Sequence, residues 1–377
     1  MKKVTFIFLM IMIIPMLFDA SQLNLFAIKT VRLNLSYQGV KDVEEVIDYP
    51  IHITTLTQRY FGQILYQQGL IFENLDRTQN ALQKYSEALG QNHLDTLVVF
   101  RIGQLYERLG RREEALKFWQ MDGEIISKYF ITQGTWNTQN GNWQQANIEF
   151  RRSVSIDPNN YLGYLGLGTV SRVLEDWDSA IDAYIKVLSI APDDLDANYN
   201  LGVAYLKKGE YSASREKARK VLAIYPQYIW AYILMGDSYR LESKYDQAEE
   251  WYKKVVEMDD YKSLGLRYLG INSLAGHDAI TAISYFEQAL KLSFEPELFF
   301  WLGQAYVQQQ DYENALAQFQ MATRLAPENY SFHLALADSY YSLGQKEDAI
   351  LEYRRVLELS PGSIEAESRL NQLTNGS

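Results

Sequence analysis

Proline, glycine and alanine recur in this chain at one fixed interval. Pro158, Pro192 and Pro226 stand 34 residues apart, and so do Gly134, Gly168, Gly202, Gly236 and Gly270. Ala146, Ala180, Ser214, Ala248 and Ala282 keep the same step. A sustained interval of this length marks a stack of similar supersecondary units, each packed only on its neighbours. Such a stack needs no division into the two or three globular cores that 377 residues would otherwise suggest.

The frame extends to nine units: 62–95, 96–126, 127–160, 161–194, 195–228, 229–262, 263–295, 296–329 and 330–363. Seven have 34 residues, the second has 31 and the seventh 33. Counted from the first residue of each unit, position 8 is Gly69, Gly103, Gly134, Gly168, Gly202, Gly236, Gly270, Gly303 and Ala337. Position 20 is alanine everywhere except Ser214, and position 24 is aromatic everywhere except Ala218. Small residues at 8 and 20 let two helices of a hairpin approach closely. Positions 7 and 11 share a helical face, as in Leu201 with Tyr205. Proline at position 32 ends the second helix. Gly110, Gly141, Gly209 and Gly344, near position 15, separate the two helices.

Residues 297–327 carry Leu302-Gly303, Tyr306, Ala315, Phe319 and Pro327. That pattern resembles the signature of the tetratricopeptide repeat family, and the resemblance covers 62–363. It implies an all-α fold, a right-handed superhelical solenoid of about nine helical hairpins. First helices would line an inner groove and second helices the outside. Gln68 and Gln133 at position 7, Asn137, Ser171 and Ser273 at position 11, and Ala218 at position 24 depart from the pattern as local variation. Residues 364–377 read as a C-terminal solvating helix and tail.

The first twenty residues are of another kind. Lys2 and Lys3 precede fifteen uncharged residues, Val4 to Phe18, which is the form of an export segment. As a helix that run reaches about 22 Å, short of the roughly 30 Å of bilayer hydrocarbon, so it favours a signal peptide. Phe18-Asp19-Ala20 places a large residue where a cleavage site wants a small one, which keeps an uncleaved N-terminal membrane anchor open. Either reading puts the remainder outside the cytoplasm: secreted, periplasmic, or anchored to the outer face of the cytoplasmic membrane. The MKK start hints at a bacterial cell envelope. Residues 21–61 read as an N-terminal cap or an eroded repeat.

Reaction chemistry is not legible. The net charge of -11 disfavours nucleic acid. No cysteine is present, and the histidines, His52, His93, His277 and His333, lack ligand spacing, so no metal and no cofactor is expected. Gly163, Gly166 and Gly168 fall on a first helix with no preceding strand and read as close packing. Glu113-Glu114, Glu249-Glu250 and Asp259-Asp260 read as solvated or capping carboxylates. The chain is expected not to be an enzyme.

The family geometry would place positions 2, 5, 6, 9, 12 and 13 in the groove. In units two to seven these include Arg101, Arg108, Lys128, Arg172, Lys207, Arg240 and Arg267, against Glu107, Asp196 and Asp237. Seven against three gives +4 in an acidic chain, which would suit an anionic ligand. Tyr199, Trp230, Phe300 and Trp301 add aromatic surface. Asn200 alone matches the Lys/Asn/Asn/Lys/Arg set by which relatives hold chaperone tails, so no such clamp is expected. The candidate ligand-groove residues are thus Arg101, Lys128, Arg172, Tyr199, Asn200, Lys207, Trp230, Arg240, Arg267 and Trp301. The expected function is that of a non-catalytic extracytoplasmic scaffold or adaptor holding a peptide or partner protein in the concave groove. The alternative is a carbohydrate-binding or polysaccharide-export accessory protein that uses the groove aromatics.

Overall fold

The computed structural model describes residues 50–91 and 95–375. The export segment, most of the 21–61 cap, His93 and the His52 side chain lie outside the described residues. Described residues form nineteen α-helices and no strand. They fall into two compact units that divide between Gly166 and Leu167.

The first unit holds α1 (Pro50–Asn74), α2 (Thr78–Leu89), α3 (Thr96–Arg108), α4 (Arg112–Gln120), α5 (Gly123–Gln139), α6 (Trp143–Ile156) and the start of α7 (Tyr161–Val173). The second continues with α8 (Trp177–Ile190), α9 (Leu195–Lys207), α10 (Tyr211–Ile224), α11 (Ile229–Leu241) and α12 (Tyr245–Val256). A 3-10 turn (Asp259–Tyr261) leads to α13 (Lys262–Ala275), α14 (Ala279–Leu290), α15 (Pro296–Gln308) and α16 (Tyr312–Leu325). The last are α17 (Tyr330–Ser342), α18 (Lys346–Leu359) and α19 (Ile364–Asn375). Within each unit every helix packs on the next in the chain, making an all-α solenoid of repeated hairpins.

Two boundaries differ from the bare frame. Helix α1 has 25 residues and runs through 61–62 without a break, so the first repeat's inner helix begins well inside the stretch read as a cap. In the 31-residue second repeat the outer helix α4 shrinks to nine residues. Helix α5 compensates by starting at Gly123, four residues ahead of the 127 frame, and reaches 17 residues.

The periodic residues explain the joint inside each hairpin. The position-24 ring lies directly on the position-8 glycine of its own repeat. A Cβ on Gly236 would sit 2.3 Å from Cε1 of Tyr252, and one on Gly103 only 2.1 Å from Nε1 of Trp119. Gly69 with Tyr85, Gly134 with Phe150, Gly168 with Tyr184, Gly270 with Phe286 and Gly303 with Phe319 repeat the arrangement. The position-20 alanines are buried beside these rings. Gly166 and Gly163, on the same helix as Gly168, back onto Phe150 and Ser153, so close packing accounts for all three.

Position 15 of every repeat takes a left-handed backbone. Glycine holds it at Gly110, Gly141, Gly209 and Gly344, but Asp76, Glu175, Ser243, His277 and Gln310 hold it elsewhere with φ between 55 and 64°. The joint between repeats has its own latch. Proline at position 32 ends the second helix, and at three such joints position 4 of the next repeat donates to its carbonyl. Asn198 Nδ2 reaches Pro192 O at 3.1 Å, the Tyr232 hydroxyl reaches Pro226 O at 2.9 Å, and His333 Nε2 reaches Pro327 O at 3.0 Å.

Candidate functional site

In the second unit successive first helices touch one another directly: α9 with α11, α11 with α13, and α13 with α15. Three of them share a concavity of about 470 Å3. Helix α11 supplies Asp237 and Arg240, α13 supplies Arg267, Tyr268 and Ile271, and α15 supplies Glu297 and Trp301. In that order these residues come from positions 9, 12, 5, 6, 9, 2 and 6 of their repeats, the face that a 3.6-residue period turns away from the second helices.

The polar groups are held in place. Asp237 Oδ1 accepts from Arg240 Nη2 at 2.8 Å and Nε at 3.3 Å. It also accepts from the Tyr252 hydroxyl at 2.9 Å. Tyr252 belongs to the second helix α12, and its ring passes over Gly236 to reach the inner face. It stacks on Tyr268 with centroids 5.5 Å apart. Arg267 Nη1 lies 2.8 Å from Glu295 Oε2, and its guanidinium is 5.9 Å from the Tyr268 ring. Burial lowers the affinity of Arg240 for its proton, but the charge and hydrogen bond of Asp237, with Tyr252, together outweigh it and the net shift is upward. Burial pushes Tyr199 up to about 12, with Tyr228, Tyr268 and Asp237 acting in the same direction. Tyr268 and Tyr252 are raised mainly by burial and then by Asp237.

Of the residues picked from sequence, Arg240, Arg267 and Trp301 meet in this concavity. Tyr199 lies beside it, edge-on to Tyr228 at 5.3 Å, and feels Tyr268, Asp237 and Arg172. Arg172 acts on the buried Tyr184 hydroxyl, while its own Nε is buried without a partner among the described residues. Asn200 is half-buried and forms no hydrogen bond among the described residues, and Lys207 is exposed at the end of α9. Trp230, at the start of α11, is 42% exposed and does not line the concavity. Arg101 and Lys128 belong to the first unit. Arg101 lies 3.5 Å from Glu73 and Arg108 3.1 Å from the same carboxylate, whose side chain is only 9% exposed. Lys128 pairs with Glu124 at 2.6 Å on an exposed turn.

The charge count changes accordingly. Five of the seven groove bases have carboxylate partners: Arg101, Arg108, Lys128, Arg240 and Arg267. Adding Glu73, Glu124 and Glu295 to the three acids first counted gives seven against six, or +1 in place of +4. The partners escaped notice because they stand outside the second-to-seventh groove positions.

A further pattern was legible and missed. In two repeats a tyrosine at position 24 donates to an acid at position 9 of its own repeat: Tyr252 to Asp237 and Tyr353 to Asp338 at 2.5 Å. Position 9 is Ile271 or Val203 where position 24 is Phe286 or Ala218, but it is Thr135 or Gln304 beside Phe150 or Phe319, so the pairing belongs to individual repeats. The hydroxyl therefore connects the outer helix to the groove face. In the first repeat Tyr85 does the same through Glu73, at 2.9 Å.

Among the described residues no group of three or more His, Cys, Asp or Glu side chains is placed to hold a metal ion. Also among them, no helix is long and apolar enough to cross a membrane.

Family models described as tetratricopeptide repeat match residues 165–229, 281–330 and 300–364, and a second such model matches 231–261. Solved structures are similar to this chain at low identity. A tetratricopeptide repeat protein from Parabacteroides merdae is 14% identical, with a TM-score of 0.47, over 74% of this chain and 98% of that one. MamA from Desulfovibrio magneticus is 22% identical, with a TM-score of 0.41, over 44% of this chain and 94% of that one. PilF from Pseudomonas aeruginosa is 17% identical, with a TM-score of 0.39, over 67% of this chain and 99% of that one.

Proposed function

Because this chain belongs to the tetratricopeptide repeat family, whose fold typically serves as a scaffold for protein–protein interaction and not for catalysis, we propose that it is a non-catalytic adaptor. It binds an extended segment of a partner protein on the face of α11, α13 and α15. The observation that carries this reading is the convergence of Arg240, Arg267 and Trp301 in one concavity with Asp237, Tyr268 and Ile271. Tyr268, Ile271 and Trp301 offer an apolar wall to a side chain. The guanidinium edges turned away from Asp237 and Glu295 donate to peptide carbonyls, and Glu297 accepts from peptide amides. Such a mixed set suits a peptide backbone, which alternates donors and acceptors, better than it suits a purely anionic ligand. Rigid helices fix these groups before the ligand arrives, which lowers the ordering cost of binding.

Export by residues 1–20 is the second half of the proposal. Its support is the pair Lys2 and Lys3 followed by fifteen uncharged residues. A reporter fused after residue 377 and active only outside the cytoplasm tests it, and activity only inside contradicts it.

Affinity capture with the full chain tests the binding face. Ile271→Asp places an unpaired charge among the ligand's apolar contacts. It should reduce recovered partner about tenfold without loss of helicity. Equal recovery would remove this face from consideration. The carbohydrate alternative is favoured by Trp301 and Tyr268 beside the Arg240–Asp237 pair, since rings stack on sugars and paired charges hydrogen-bond hydroxyls. Capture of a protease-resistant, Trp301-dependent glycan would select it.

A further inference from the structure

The second unit has two edges, one made of the turns inside hairpins and one made of the connections between repeats. The between-repeat connections are residues 190–197, 224–231, 256–264, 290–298, 325–332 and 359–367. Because consecutive helices pack as antiparallel neighbours, all six connections fall on the same edge. Successive first helices in direct contact place these connections at intervals of roughly 10 Å.

Apolar side chains gather on that edge. Of sixteen large hydrophobic residues exposed in the second unit among the described residues, ten lie in these six connections and four lie near the hairpin turns. Ile190, Tyr225, Trp230, Phe294, Tyr330 and Ile364 are the most prominent, with Phe294 67% and Ile364 82% exposed. Neither helix capping nor the proline latch requires a ring or a branched chain there. A row of exposed apolar groups of this extent is a binding surface or a solubility liability.

The same connections carry eleven carboxylates and two lysines. Some have internal roles. Asp194 caps α9 through the Ala197 amide at 2.7 Å, and Glu295 holds Arg267. Asp196, Asp260 and Glu365 are exposed and make no hydrogen bond or ion pair among the described residues.

We infer that this between-repeat edge is a second docking surface, and that its occupant is a protein segment presenting basic and apolar side chains together. Charge selects among occupants. A second copy would bring the same carboxylate excess against itself. An anionic lipid surface or a nucleic acid would be repelled. A basic amphipathic helix matches both features. Its residues i and i+7 are about 10.5 Å apart, the spacing of the apolar stations along the edge. Glu297 borders both this edge and the groove of α11, α13 and α15, but the exposed apolar residues of the edge lie outside that groove, and the inference does not depend on it.

The test uses the full chain and a synthetic eighteen-residue amphipathic helix of leucine and lysine that carries a photo-crosslinking residue. An isohydrophobic leucine–glutamate peptide and phosphatidylglycerol vesicles serve as comparisons. The Leu/Lys peptide should bind and crosslink within 224–231 and 290–298. Asp260→Lys with Glu365→Lys, and separately Tyr225→Ser with Phe294→Ser, should each weaken it about tenfold. All four positions are exposed, so the fold should survive, as circular dichroism would report. Ile271→Asp in the groove should leave this binding unchanged. Absence of binding, crosslinks confined to the groove or to the second-helix face, equal binding of the Leu/Glu peptide, preferential binding of the vesicles, or a dimer abolished by Phe294→Ser would each overturn the inference.

Discussion

The fifth repeat (195–228) and the sixth (229–262) are neighbours built on the same frame, and they solve the same packing problem differently. In the sixth, the Tyr252 ring covers Gly236 and its hydroxyl holds Asp237 on the groove face. In the fifth, Ala218 stands where the ring should be. Leu234 of the sixth repeat fills the space instead, with Cδ2 at 2.8 Å from where a Gly202 Cβ would lie. Polar groups take over the rest of that joint. Ser238 donates to Ser214 at 3.1 Å, and the buried Arg215 bonds Glu242 while lying 4.4 Å from the Tyr239 ring. The volume beside a position-8 glycine must be filled, but the next repeat can fill it. What the fifth repeat gives up is the hydroxyl that anchors a carboxylate on the inner face.

Removing the ring should have the largest effect. Tyr252→Ala should cost about 3–5 kcal/mol in denaturant unfolding, because no neighbour supplies a substitute as Leu234 does for Ala218. Alkaline pH should act next. A tyrosine with a raised folded-state pKa holds its proton more tightly when folded. Its contribution is complete below the ordinary value of 10.0 and is lost as pH rises towards about 12, the value to which Tyr199 is pushed. That two-unit shift corresponds to on the order of 3 kcal/mol. Tyr252 is raised in the same direction. Melting curves at increasing pH should therefore fall above pH 10, and Tyr199→Phe should flatten part of that fall.

Gly236→Ala should cost about 2 kcal/mol, since its Cβ would meet a ring locked by Asp237. Gly202→Ala should change stability by less than about 1 kcal/mol, because a terminal methyl of Leu234 can move and alanine is the better helix former. The hairpin turns give the smallest contrast. Ser243 sits at φ 59° where Gly209 sits at 79°. Ser243→Gly should stabilise by about 1 kcal/mol, and Gly209→Ala should destabilise by a similar amount. Differential scanning calorimetry of the four variants checks both pairs.

Much of the fold was legible because its determinants are local and periodic. Gly236, Ala248 and Tyr252 announce a close hairpin without any knowledge of the neighbours. The turn at position 15 was visible where glycine marks it and hidden at Glu175, Ser243, His277 and Gln310, where side chains accept the same backbone. The length of α4 followed from no motif, since three missing residues can leave either helix or the turn. The groove was half legible. Helical phase alone put Arg240, Arg267 and Trp301 on one face, but it did not supply Glu295 or Glu73. Glu73 acts across a repeat boundary, and Glu295 acts within its own repeat from a position outside the counted set. Trp230 shares the phase of groove residues yet lies at the helix start, where the face merges with the between-repeat edge.

The binding face is the claim most worth direct attack. A photo-crosslinking amino acid placed at Ile271, between α11 and α15, or at the exposed Ile185 of the second helix α8, would be activated in the full chain within its own cells. Binding on the first-helix face predicts a partner adduct from position 271 and none from 185. Adducts from 185 with none from 271 would contradict it and move recognition to the second-helix side.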